Sequence, residues 1–198
     1  VIVVNVGGAG GTIGTARVAA AKPDGYTILL GHTGQATQTS LYKSLTYDPV
    51  ESFDTIGLVT EVPMTIVGKP GLEPADLKTL ITYIRERPDK LNYAHSGLGS
   101  VAQLCGLMFM SATKTKMTVI PYKGGGEVMK DLLAGQIDVY CEPATGTTAN
   151  IQAGKIKAYA VTTKKRVGTL PDVPTTTEAG FPEIGITTWY GLYAPKGT

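Results

Sequence analysis

The sequence predicts an α/β protein of two lobes, and three observations support this fold class. Short apolar runs rich in Val and Ile alternate with helix-like segments at the spacing of right-handed βαβ units. Most of the strand-like runs end in a loop rich in glycine and hydroxyl residues. A clear helix, stopped before Pro88, separates one series of strands from the next. We therefore expect mainly parallel sheets, with a first lobe made of residues 1–91 and 170–198 and a second lobe made of residues 92–169.

The first lobe opens with an unbroken β-branched run, which is typical of a strand covered on both faces. Proline marks the boundaries that follow: Pro23 ends the first helix, and Pro63 is expected to separate two short strands. The last helix of this lobe places apolar residues on one face. In chain order, we expect a strand at 1–6, a helix at 13–21, strands at 26–30, 56–60 and 64–67, and a helix at 73–87.

The second lobe begins with an apolar run that stops in a Gly-Ser loop and opens a helix. Ser100 and Gln103 have the spacing of a capping box, in which each side chain satisfies a free backbone N–H group. The remaining N–H groups and the helix dipole would face an anion in front of the loop. We expect helices at 101–111 and 127–134, a weaker helix up to Gly154, strands at 118–122, 137–141 and 156–162, and a strand at 187–194 that returns to the first lobe.

The composition is that of an ordinary globular protein, with 198 residues, 42% hydrophobic, 17% charged and a net charge of +2. The longest apolar runs are far shorter than the ~20 residues that a membrane span requires. The basic cluster at 164–166 lacks interleaved aromatic residues, so nucleic acid is not expected as a partner. For Cys105 and Cys141 we favour buried free thiols, with a bridge between them as the alternative.

Motifs for catalysis and metal binding are missing. The chain has two histidines, His32 and His95, and neither belongs to a Ser-His-Asp pattern or to a short-range zinc spacing. One nucleotide motif is present, because Gly97 to Ala102 fits G-x-G-x-x-A between a strand and a helix. Its acidic partner is absent, since no Asp or Glu lies between Asp89 and Glu127. A dinucleotide-dependent α/β enzyme that uses this loop is therefore the alternative function.

Five strand ends share one design, combining glycine, hydroxyl groups and little side-chain bulk. In open parallel α/β sheets, ligands bind outside the carboxyl ends of the strands. Each glycine alone could simply make a tight turn, but five such loops in two lobes favour a cleft that binds an anion. The loops are residues 7–12, 31–34, 96–100, 123–126 and 142–146.

Eight segments along the whole chain, in order and spacing, resemble a known family. They are GAGGTIG at 8–14, PDGYT at 23–27, LNYA at 91–94 with SG at 96–97, PYKGG at 121–125, GQIDV at 135–139, AGKI at 153–156, LPDVPT at 170–175 with EAG at 178–180, and WYGL at 189–192 with AP at 194–195. The sequence thereby resembles the periplasmic receptors of tripartite tricarboxylate transporters, the Bug solute-binding proteins.

This resemblance implies a periplasmic-binding-protein-like, Venus-flytrap receptor that closes on a small carboxylate and delivers it to an integral-membrane transporter. It implies a periplasmic location, a monomer, no cofactor and no catalysis. Carried over by position, the ligand-binding residues would be Thr33, Gly34, Ser96, Gly97, Ser100, Lys123, Gly124, Gly125, Glu142 and Trp189.

The sequence departs from the family pattern in three respects. The family normally has a further strand and glycine loop ahead of Val1 and further helices beyond Thr198, so we expect a chain truncated at both ends. Glu142 stands where Asp is more usual, and His95 stands where a small residue is usual. Either difference could narrow the choice of ligand.

Overall fold

One long strand runs through two groups of strands in the computed structural model, which describes residues 1–198. The structure contains six α-helices, seven strands and two 3₁₀ segments, the latter at Ala9–Gly11 and Thr33–Thr37. In chain order the helices and strands are α1 (Thr12–Ala19), β1 (Leu29–His32), α2 (Gln38–Leu41), β2 (Phe53–Gly68), α3 (Leu77–Glu86), β3 (Asn92–His95), α4 (Val101–Thr113), β4 (Thr118–Pro121), α5 (Gly125–Leu133), β5 (Val139–Pro143), α6 (Ala144–Gln152), β6 (Lys157–Val161) and β7 (Thr187–Pro195).

The strands follow the order β1-β7-β2-β5-β3-β4, and β6 also pairs with β2. The first part of β2, residues 53–63, pairs antiparallel with β7, which in turn pairs antiparallel with β1. The second part, residues 64–68, pairs antiparallel with β5 and β6. Only β3 is parallel to its neighbours β4 and β5. The α/β class is confirmed, but the pairing is mixed rather than mainly parallel because β2 runs against the strands on both sides of it.

The largest hydrophobic cluster lies on the side of β5 and β3. It joins Met64 and Ile66 of β2 and the apolar face of α3 to residues of β3, α4 and β5. The predicted division into 1–91 with 170–198 and 92–169 stays a prediction. The pairing partners of β2 change after Pro63.

Four predicted strands differ from the structure. Residues 1–6 form no strand, because no other strand pairs with them, and residues 1–5 are exposed. The strand expected at 26–30 begins at Leu29 instead, where pairing with β7 begins. The strands expected at 56–60 and 64–67 are one strand through Pro63. This proline lies opposite Thr187, at the last pair between β2 and β7, where a missing N–H is best tolerated.

Cys105 and Cys141 form a disulfide that joins α4 to β5 inside the large cluster. The preference for free thiols was wrong. Both side chains are buried, and their Cα atoms lie 6.3 Å apart, within the range that a bridge can span. None of the helices has the length and apolar character of a membrane-spanning helix.

Candidate ligand-binding site

The three strands β4, β3 and β5 end at one edge of the sheet, and a helix begins after each of them. The backbone N–H groups in the first turn of a helix have no partner within the helix, and the helix dipole adds positive potential there. At the starts of α5 and α6 no side chain caps these groups. This edge therefore presents two uncapped helix starts to any ligand in front of it.

The start of α4 is capped by side chains of its N-cap residue and of its first turn. The Ser100 hydroxyl accepts the Gln103 N–H at 3.2 Å. The Gln103 side chain accepts the N–H of Gly99, at 2.7 Å, rather than that of Ser100. Only one of the two hydrogen bonds of the expected capping box is therefore formed. Ser100 is buried, and its hydroxyl caps α4. Buried His95 supports the same loop, because its Nδ1 lies 3.2 Å from the N–H of Gly97.

Thr33, Gly34 and Trp189 come together on the opposite side, at the end of β1. The Trp189 N–H donates to the Thr33 hydroxyl at 2.8 Å. The Gly34 N–H donates to Nδ1 of His32 at 3.0 Å, so the neutral imidazole carries its proton on Nε2. Burial lowers the pKa of His32 and keeps the ring neutral. Neutral hydrogen-bonding groups thus line this side.

The two sides touch through glycine-rich loops. The Thr37 hydroxyl donates to the carbonyl of Gly99 at 3.2 Å, in addition to that of Gly34. A Cβ atom on Gly10 would lie 2.1 Å from the Leu98 carbonyl oxygen, and one on Gly97 would lie 3.0 Å from the Gly10 nitrogen. Only glycine permits this approach. The 97–102 loop of the dinucleotide alternative is consequently packed against protein backbone, and the structure gives that alternative no support.

Glu142 lies at the end of β5 in a partly buried polar cluster. The Tyr140 hydroxyl donates to its Oε2. Its Oε1 faces the helix starts, because a Cβ atom on either Gly125 or Gly146 would lie 3.0 Å from it. Burial raises the pKa of Glu142 to about 7, although the hydrogen bond from Tyr140 acts in the opposite direction. Glu142 forms no ion pair.

Three tyrosines lie near enough to this carboxyl group for its charge to affect their pKa values. Burial, followed by the charge of Glu142, raises the pKa of Tyr93, Tyr140 and Tyr190. The nearby Ser96 hydroxyl acts in the opposite direction on the pKa of Tyr140, with a smaller effect. Tyr190 belongs to β7, so the charge of Glu142 acts on residues on both sides of the site.

The remaining predicted residues lie at the start of α5. Gly124 precedes the helix in an extended conformation. The Lys123 side chain is exposed, and its carbonyl oxygen lies 3.8 Å from where a Cβ atom of Gly7 would stand. The structure thus brings Ser96, Gly125 and Glu142 into one cluster and Thr33, Gly34 and Trp189 into another, with Gly97 at the contact between the two sides.

Two cavities lie away from most of these residues. The larger, about 350 Å³, is lined by Lys69, Tyr83, Arg87 and their neighbours, none of which was predicted as a site residue. The smaller, about 180 Å³, lies on β2 and β7 and includes Trp189. No group of three or more His, Cys, Asp or Glu side chains is placed to hold a metal ion.

Sequence reasoning missed several residues of the site. Tyr140 precedes Glu142 by two positions on one strand, and alternation along a strand would have placed both on one face. His32 ends a strand beside the predicted Thr33. For Gly10, Tyr42 and Tyr190 the contacts are made across the fold, and no local pattern signals them.

Strands pass between two groups of elements, and glycine loops and helix starts lie at the junction. This arrangement is typical of solute-binding receptors. A family described as tripartite tricarboxylate transporter family receptor matches residues 1–198. The chain belongs to this family. The description of this family as a receptor agrees with the expectation of a receptor rather than an enzyme.

A protein of Agrobacterium vitis, encoded in the TAR-I ttuE-ttuC' intergenic region, is 48% identical over 198 residues, which are 100% of this chain and 57% of the relative. The structure of the periplasmic binding protein BugD is 49% identical with a TM-score of 0.96, over 100% of this chain and 66% of BugD. The chain therefore spans less than two thirds of the length of these relatives.

Two similar structures hold carboxylates. MatC of Rhodopseudomonas palustris, with bound malate, is 37% identical with a TM-score of 0.90, over 96% of this chain and 65% of MatC. A further R. palustris protein, solved with adipate, is 33% identical with a TM-score of 0.91, over 95% of this chain and 63% of that protein. These likenesses confirm the periplasmic-binding-protein-like fold.

Proposed function

We propose that this chain is the ligand-binding part of an extracytoplasmic receptor that captures a small organic carboxylate between its two sides. The observation that carries the proposal is the pair of uncapped helix starts, α5 and α6, at one edge of the sheet. Their N–H groups can bind a carboxylate without a charged side chain, as helix N-termini bind anions in other proteins.

The site offers donors without cations around its buried part. The N–H groups of α5 and α6 and the Nε2 proton of His32 are neutral donors. Neutral donors bind a carboxylate and release it more readily than a buried guanidinium pair would, because no unpaired charge is left behind. This suits a protein that must pass its ligand on.

The solved relatives support the chemical class. MatC holds malate and a second R. palustris protein holds adipate, and both share this fold at more than 30% identity. We propose that small dicarboxylates of this kind are ligands here too, and that membrane components of a tripartite transporter receive them. We also propose a periplasmic location and a monomer.

The ten residues named from the sequence are assigned roles within this proposal. Ser96, Gly97, Lys123, Gly124, Gly125 and Glu142 would contact the ligand from one side, and Gly34 from the other. Thr33, Ser100 and Trp189 would support these contacts, since the Thr33 hydroxyl accepts the Trp189 N–H and the Ser100 hydroxyl caps α4.

A thermal-shift panel tests the function. Malate, succinate and adipate are added to the purified protein at increasing concentration. A ligand at about 100 times its dissociation constant stabilises the folded state by roughly 2.7 kcal/mol. For a domain of this size that corresponds to an increase in melting temperature of about 5–10 °C.

Nicotinamide dinucleotides form the control arm. The receptor proposal predicts a shift with at least one dicarboxylate and none with the dinucleotides. A shift with dinucleotides alone would restore the enzyme alternative, and flat melting curves with every acid would contradict the proposed function.

A further inference from the structure

Glu142 is a partly buried carboxyl group without a counter-ion at the proposed ligand site. Its Oε2 accepts a hydrogen bond from the Tyr140 hydroxyl. Its Oε1 points toward Gly125 and Gly146, which have no side chains to meet it and lie in the first turns of α5 and α6. The free oxygen of this carboxyl group therefore faces the same helix starts that are proposed to hold the ligand.

The groups around Glu142 are neutral on every element packed against it. Tyr140 donates to it from within β5, and the charge of Glu142 also acts on Tyr93 of β3 and Tyr190 of β7. Glycines face it from α5 and α6, and the Thr65 hydroxyl on β2 donates to its backbone carbonyl at 2.9 Å. An ionised Glu142 would thus be a partly buried, unpaired negative charge beside the place of a negative ligand.

We propose that Glu142 is a specificity residue that binds one carboxylate of the ligand as a protonated, hydrogen-bond-donating acid, so that ligand binding takes up one proton. This inference rests on the proposed function. The Tyr140 hydroxyl donates to Oε2, which leaves Oε1 to carry the proton and to donate it to a ligand carboxylate held in front of the helix starts. No covalent bond is made or broken apart from the transfer of that proton from solvent.

Elementary electrostatics gives the direction of the coupling. Burial already raises the pKa of this group to about 7, and a ligand anion beside it disfavours the ionised form further. The complex therefore holds a proton that part of the free protein lacks near neutral pH. By linkage, the affinity must fall as the pH rises through this range.

The two histidines do not produce the same effect. Burial lowers the pKa of His32 and of His95, so both rings are neutral at and above pH 7. The carboxyl groups of malate, succinate and adipate are likewise fully ionised in that range. Glu142 remains as the group whose protonation changes on binding.

Calorimetric titration tests the inference. Malate, succinate and adipate are titrated into the purified protein between pH 6.5 and 8.5, in pairs of buffers that differ in ionisation enthalpy. We expect an uptake approaching one proton above pH 7.5 and a fall in affinity of up to about tenfold per pH unit. The Glu142→Gln variant, a neutral donor of the same shape, should lose both the pH dependence and the proton uptake.

The possible outcomes distinguish a failure of this inference from a failure of the proposed function. No binding of any of the three acids at any pH contradicts the proposed function. Binding with no proton uptake and no pH dependence overturns the role of Glu142 alone. An affinity that rises with pH and is lost in Glu142→Gln would mean that the ionised carboxylate accepts from the ligand, which also overturns it. Should Glu142→Gln fail to fold, proton uptake by the wild type decides the question.

Discussion

The Tyr42 hydroxyl donates a hydrogen bond of 2.8 Å to the carbonyl oxygen of Leu98. Tyr42 directly follows α2, whereas Leu98 lies in the loop between β3 and α4, 56 residues further along the chain. The bond therefore ties the two sides of the site together. It lies beside the contact between Gly10 and Gly97, where backbone meets backbone.

Loss of the Tyr42 hydroxyl should weaken the contact between the two sides of the site. A single hydrogen bond contributes about 0.5–1.5 kcal/mol, so Tyr42→Phe should reduce dicarboxylate affinity by about two- to tenfold in calorimetric titration. Tyr26→Phe is the matched control, because Tyr26 is exposed and its hydroxyl has no partner. Equal affinities for the two variants would show that this bond does not hold the sides together.

A methyl group on Gly10 should keep the two sides of the site apart. Its Cβ atom would lie 2.1 Å from the Leu98 carbonyl oxygen, and a backbone atom cannot move aside as a flexible side chain can. Gly10→Ala should lower ligand affinity at least tenfold while the large cluster around α3 still unfolds cooperatively. Gly168→Ala is the control, since a Cβ atom there meets nothing within 4 Å. Unchanged ligand-induced melting shifts in Gly10→Ala would contradict the close approach.

Glu142 should make the fold less stable as the pH rises from about 4.5 to about 7. Its pKa is raised from 4.5 to about 7, so within this window the folded state keeps a proton that the unfolded state has lost. The free energy of unfolding then decreases by up to about 3 kcal/mol and changes no further above the window. The lowered pKa of Asp54 and of Asp76 acts at lower pH.

Urea unfolding at pH 5 and pH 8 measures this effect. The Glu142→Gln variant should be more stable than the wild type at pH 8 and closer to it at pH 5. Parallel stability curves for the two proteins would show that the pKa of Glu142 is the same in the folded and unfolded states.

The Cys105–Cys141 disulfide should contribute about 2–4 kcal/mol to stability, because it closes a loop of 36 residues in the unfolded chain. Unfolding by urea with and without a reductant measures the contribution. A Cys105→Ala, Cys141→Ala double variant should unfold near the reduced wild type and show no response to the reductant. A wild type that is equally stable in both conditions would show that the bridge does not stabilise the fold.

Local patterns predicted most of the helices and the strands around β3, β4 and β5. The apolar face of α3 and the Ser100 cap of α4 follow from a few neighbouring residues, and both are present. The strand expected at residues 1–6 is absent because a strand requires a partner, and the β-branched run does not reveal whether one is there. Pro63 ended a strand in the prediction, yet β2 passes through it at the point where its pairing partners change.

The site was predictable to the extent that it depends on strand ends. Because β3 is parallel to β4 and β5, Ser96, Gly125 and Glu142 meet at one edge. The roles of Tyr190 and Tyr42 depend on how the two sides face each other, which spacing along the chain does not encode. The disulfide belongs to the same category, since its cysteines are brought together only by the packing of α4 on β5.

Hydrogen exchange with and without malate, succinate or adipate tests the central claim most directly. Binding at the proposed site should slow exchange of the backbone N–H groups in the first turns of α5 and α6 and in the loop at 97–99. The exposed segment at residues 1–5 should stay unchanged. Protection confined to the cavity near Lys69 and Arg87, or no protection with any of the three acids, would contradict a carboxylate site at these helix starts.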